Sequence, residues 1–166
     1  MARWGRTDYK QLQQLRDNIA KLESVDMEKF CRDVSKELAA RLLALVIPAT
    51  PVGDYPYSSG KIGGTLRRGW TSKTHDEAAS GSGDGLSKAT AYAQALPISK
   101  VGTTYLVEII NPVQYASYVN YGHRTVNGGY VPGQLFLELS ERELERKVPS
   151  IIERKLERLL RDTFSV

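Results

Sequence analysis

Apolar and polar positions alternate with a helical period at both ends of the chain. From Asp8 to Glu23, Leu12, Leu15, Ile19 and Leu22 recur at helical spacing among polar residues. A longer stripe starts at Asp26 and runs through Met27, Phe30, Cys31, Val34, Leu38, Leu42, Leu45 and Val46. Ser24 or Asp26 caps its start by accepting a backbone N–H bond. Pro48 and Pro51 are expected to end it, because proline lacks the donor and disfavours helix in the residue before it. Near the other end, Leu135, Leu139, Leu144 and Val148 alternate with charged residues whose Glu-to-basic spacing supports an exposed helix face. Pro149 then opens a last helix carrying Ile152, Leu156, Leu159 and Leu160.

Between these ends the pattern changes. Residues 50–64 form a loop rich in Gly, Pro and Tyr. Thr65 to Thr74 reads as a short strand around Leu66 and Trp70. Asp76 to Ser87 is rich in Ser and Gly and reads as a loop ordered only by a partner. Ala91 to Ile98 is a plausible strand with Pro97 at an edge. Val101 to Ile110 is the clearest strand, Val101, Thr103, Tyr105, Val107 and Ile109 sharing one face. Tyr115 to Tyr121 reads as a short helix stopped by Gly122. The expected fold is therefore α+β: a single domain over 1–166, with an N-terminal arm or helix at 1–23, a main helix at 26–47, a small, mostly antiparallel sheet over 65–110 and C-terminal helices over 134–164.

At 166 residues the chain is long enough to bury a core without disulfides or metals. Its 23 basic and 19 acidic residues leave a charge of +4, too mild for a dedicated nucleic-acid binder. Cys31 is the only cysteine and sits in an apolar stripe, which favours a buried thiol over a nucleophile. The polar opening, Met1–Lys10, and the single cysteine point to a reducing, cytosolic site of synthesis and assembly. The longest apolar run, Leu42–Ile47, is too short to cross a membrane, and no membrane partner is expected.

Candidate chemistry is sparse. His75 and His123 belong to no metal spacing, Cys31 has no cysteine partner, and Gly60–Thr65 lacks the ending of a phosphate loop. No catalytic residue, metal or cofactor is expected, and an enzyme built on the two histidines is the weakest reading. Lys61, Arg67, Arg68 and Lys73 lie in a stretch with no Asp or Glu between Asp54 and Asp76. They suit phosphates or an acidic protein neighbour, and a solvated cationic strand edge explains them as well. Nine tyrosines, several in loops, exceed the needs of a small core and favour protein interfaces.

Four motifs in order carry a resemblance. Thr50-Pro-Val52, Gly64-Thr-Leu-Arg-Arg-Gly-Trp70, Asn111–Arg124 (with Tyr115-Ala-Ser-Tyr-Val-Asn-Tyr-Gly-His123 inside it) and Tyr130-Val-Pro-Gly-Gln-Leu-Phe-Leu137 resemble the tail-completion, or head–tail joining, family of tailed bacteriophages and prophages. The resemblance covers the chain from about residue 10 onward. It implies a virion structural protein of the neck, assembled in the host bacterial cytoplasm. Such a protein is a homo-oligomer, usually a six-fold ring, between the head connector or adaptor and the tail terminator or tube, and has no catalytic residues. Tyr55, Tyr57, Tyr118, Tyr121, His123, Arg124 and Tyr130 are then the expected contacts between subunits or rings. Lys61, Arg67, Arg68 and Lys73 would line a channel for DNA or meet acidic groups of the next ring. Asn120 stands where an acidic residue is common, so no interface salt bridge is carried over to it. The alternatives are a basic nucleic-acid-binding protein or another tail ring, such as a tail terminator.

Overall fold

In the computed structural model, which describes residues 9–23, 27–60, 63–83 and 85–164, the two long apolar stripes become the frame. Helix α1 spans Tyr9–Glu23 and α2 spans Met27–Ala49. The expected caps Ser24 and Asp26, like Asp8, lie outside the described residues. Val34 and Val46 are buried as expected, while Ala39, Leu43 and Ile47 take the deep positions beside the half-buried Leu38, Leu42 and Leu45. α2 is covered from two sides, so its buried face is wider than one stripe. Pro48 lies within the helix and costs it one hydrogen bond, and the helix runs one residue further, to Ala49. The end comes at Thr50, whose N–H and hydroxyl both donate to the Val46 carbonyl, at 2.9 and 2.6 Å.

The expectation of a 65–110 sheet is overturned. Helix α3 (Thr65–Gly69), α4 (His75–Ser80) and α5 (Ala89–Ala95) occupy most of that stretch. Leu66 and Trp70 are four apart, which is a helical pair, and both are buried. The 76–88 segment is likewise built: Thr74 caps α4 by accepting the Glu77 N–H, and Ala78 is fully buried. In place of a strand at 91–98, Ala89 and Ala93 face the core one turn apart on a helix of strong helix formers. Of the expected strand at 101–110, the stretch Thr104–Val107 is a strand. β1 (Ile98–Val101) pairs antiparallel with β2 (Thr104–Val107), Ile98 opposite Val107, around a turn with Gly102 at φ 62°.

The short helix after Tyr115 is present as α6 (Ala116–Tyr121). It runs into a second hairpin, β3 (Gly122–Arg124) antiparallel to β4 (Tyr130–Pro132). Last comes α7, a single helix over Phe136–Phe164. Pro149 sits inside it rather than opening a new one, on the exposed side, while the next residue but one, Ile151, is buried. Packing against α2, including a Lys155–Glu37 ion pair of 2.6 Å, carries α7 through the lost hydrogen bond. The fold is α+β, with N- and C-terminal helices and two small antiparallel hairpins, and the core lies between α2, α3, α5 and the start of α7.

Candidate assembly interface

The conspicuous sequence motifs divide by exposure into a frame and a face. Thr50 is fully buried, and its hydroxyl accepts the Trp70 indole N–H at 2.8 Å. Trp70 meets Phe136 edge-on, with ring centroids 6.3 Å apart at 83°. Asn111 donates from Nδ2 to the Leu66 carbonyl at 2.9 Å and accepts the Val113 N–H at 3.2 Å. Three of the four motifs are thereby tied to one another through buried polar bonds.

Asn120 is the pivot between frame and face. It is 4% exposed, and its Nδ2 donates to both oxygens of Glu138, at 3.0 and 2.8 Å. Its Oδ1 accepts the Leu137 N–H at 3.2 Å, and its backbone carbonyl accepts the Leu135 N–H at 2.9 Å. One side chain thus fastens α6 to the first turn of α7. Burial raises the Glu138 carboxyl pKa, but the Asn120 bonds, its own backbone N–H and the Tyr121 hydroxyl outweigh that and hold it below the ordinary 4.5. The same pairing pushes the Tyr121 phenol above its usual 10.0. Gly133 lets the two segments meet, since a Cβ there would overlap the Asn120 carbonyl oxygen and the Gly122 N. Leu135 has φ 49°, the one described non-glycine residue in the left-handed region.

The face that this frame holds out is aromatic. Tyr118 and Tyr121 on α6 are each 58% exposed, and Tyr130 on β4 is 63% exposed. Tyr118 leans on the His123 ring at 5.7 Å, and the Tyr130 hydroxyl donates to the Tyr121 carbonyl at 3.1 Å. Arg124 is exposed beside them. These five expected contact residues are therefore gathered on one structural unit. Tyr55 is exposed elsewhere, on the rim of a cleft of about 350 Å³ that reaches Tyr115 and Val119. Burial, with Tyr55 close by, raises the Tyr115 phenol. The Tyr57 side chain lies outside the described structure.

Of the basic group, the two arginines turn inward. Arg68 is 6% exposed, and its guanidinium donates to the Ala78, Gly63 and Gly83 carbonyls and to the Thr65 hydroxyl. Arg67 donates to the Thr50 carbonyl at 2.6 Å and to the Pro48 carbonyl at 2.9 Å, satisfying the end of α2. Both arginines thus donate to carbonyls of the fold, Arg68 from a buried position and Arg67 from a half-buried one. Lys73 is exposed, and Lys61 lies outside the described residues. Sequence reasoning counted charge along the chain and had no signal for carbonyls left open at 63, 78 and 83. Asn120, too, stood out only as a missing acid.

His75 packs edge-on to Tyr115 at 6.5 Å, and His123 packs against Tyr118, so each histidine leans on a tyrosine ring. Among the described residues, no three His, Cys, Asp or Glu side chains gather as metal ligands, and no helix is long and apolar enough to cross a membrane. Compared with known protein families, residues 13–122 match the HK97-gp10-like family, described as "Bacteriophage HK97-gp10, putative tail-component". No curated protein and no solved structure matches the chain. The matched stretch is about two thirds of the chain and contains the Thr50, Trp70 and Asn111 ties as well as α6. The chain belongs to the HK97-gp10-like family of bacteriophage tail components.

Proposed function

We propose that this tail component works at the neck of the particle, as a homo-oligomeric ring that completes the tail end and joins it to the head connector. The observation that carries this reading is the tyrosine face. Tyr118, Tyr121 and Tyr130 are each about 60% exposed, yet they stand on α6 and β4, which are pinned by the buried Asn120 and Gly133. A rigid, amphipathic aromatic surface with few charged groups is built to bury against protein. It offers no nucleophile or general base arrangement, so the role is structural rather than catalytic. The resemblance to tail-completion proteins supplies the ring, its six-fold order and its neighbours, the connector above and the terminator or tube below. DNA passing through such a ring would meet Lys73 rather than the two arginines. A separate nucleic-acid-binding role loses support, because the basic group is half consumed inside the fold.

Deleting the gene in the producing strain and imaging particles by negative-stain electron microscopy tests the reading. Separate heads and tails, or tails with a defective upper end, are the expected result. Normal, infectious particles would overturn it.

A further inference from the structure

Two apolar features have no cover among the described residues. Leu15 and Ile19, one turn apart on α1, are 53% and 47% exposed. α1 leans on the end of α7, where Asn18 Nδ2 donates to the Phe164 carbonyl at 3.5 Å. A 15-residue helix so lightly supported is marginal in water on propensity alone. The second feature is a groove of about 240 Å³ lined by Ile109, Ile110, Ala116, Tyr121, Phe136 and Leu137. Its rim leaves Ile110 57% and Tyr121 58% exposed, and Leu139 on the start of α7 is 57% exposed. Together with Tyr118 and Tyr130, at about 100 Å² each, these side chains leave on the order of 500 Å² open. That is the upper end of what a monomer carries, and well over half of the ~800 Å² that one side of a stable interface buries.

Charge says what fits the groove. Glu138 and Glu141 lie beside Tyr121, so that end of the rim is acidic, with Arg142 beyond Glu138. On α1, Arg16 adjoins Leu15, and Lys10, Arg16 and Lys21 outnumber Asp17 and Glu23. Arg16 pairs with its neighbour Asp17 at 3.0 Å, but with side chains 78% and 61% exposed that pair holds it weakly.

We propose that the groove of one subunit receives α1 of a neighbouring copy, with Leu15 and Ile19 as anchors one turn apart and Arg16 turned to the acidic rim. The proposal rests on the ring reading and deepens it. Donor and acceptor faces differ, so within the proposed ring the contact repeats head-to-tail, and a covalent ladder rather than a covalent dimer separates it from reciprocal exchange between two copies.

The test uses whole particles whose subunits carry Leu15→Cys and Ile110→Cys in a Cys31→Ser background. Both substituted positions are exposed, so the fold tolerates them, and a disulfide forms only where the two Cα atoms come within about 7 Å. After mild oxidation, the expected non-reducing gel shows a ladder of covalent multimers from the double variant and monomer from each single variant. Dimers from Leu15→Cys alone would mean that α1 faces pair with each other, which overturns the proposal. Monomer alone from the double variant, with the chain present in the particles, also overturns it, while the ring reading is judged separately by the deletion strain. If cysteine variants fail to enter particles, a charge exchange decides. Arg16→Glu should lower infectious titre at least tenfold and Glu141→Arg should restore it, and lack of restoration would sink the contact.

Discussion

At the scale of single residues, Asn120 shows how little of a side chain's role its position in a motif reveals. In the sequence it is a departure from a common acid, whereas in the fold it is a buried clamp with three polar bonds to the start of α7. Replacing it with Ala removes two of the bonds to Glu138 and leaves the Leu137 N–H unpaired, and should cost about 1–3 kcal/mol in denaturant unfolding. Glu138 gives the clamp a pH signature. Its folded pKa lies below the ordinary 4.5, so its contribution is present above pH 4.5 and is lost as pH falls through the lower folded value. The stability of Glu138→Gln measured against pH should accordingly fall less steeply in acid than that of the parent chain. An equal slope would remove Glu138 from the account. Arg68 illustrates the same lesson with charge. Arg68→Met should destabilise by about 1–3 kcal/mol, since buried carbonyls lose their donor, and leave any affinity for DNA unchanged.

Among elements, the helices at the chain ends were legible because long apolar stripes at helical spacing admit few other structures. The middle was not. Leu66 and Trp70 suit a strand as well as a helix turn when only six residues are in view. The alternating Ala of 89–95 mimics strand periodicity, although Ala89 and Ala93 are what the core receives. Gly102 is the turn of the first hairpin where the sequence reads as the start of a strand, a break visible only as a single glycine. Pro149 misled in the other direction, since tertiary packing outweighs one missing hydrogen bond in a 29-residue helix. Of the candidate interface, the clustered tyrosines could be read directly, but the inward bonding of Arg67 and Arg68 could not, because their acceptors are mostly backbone carbonyls of other segments. Trp70, as the junction of α2, α3 and α7, is the element-level test. Trp70→Ala should cost about 3–5 kcal/mol, seen as a lowered unfolding midpoint. Unchanged stability would contradict the core described here.

For the whole molecule, the family places the chain in the phage tail, and the structure separates what holds the subunit together from what it shows to neighbours. The bonds from Thr50 to Trp70, Asn111 to Leu66 and Asn120 to Glu138 are internal. The aromatic rings of α6 and β4 are external and contribute little to folding of the lone chain. Removing them should therefore damage assembly without damaging the subunit. The most direct measurement is complementation of the deletion strain with Tyr118→Ser/Tyr121→Ser, scored by electron microscopy beside the unfolding midpoint of the purified variant. The account predicts a midpoint close to that of the parent chain together with unjoined heads and tails. Normal particles from a normally folded variant would contradict it.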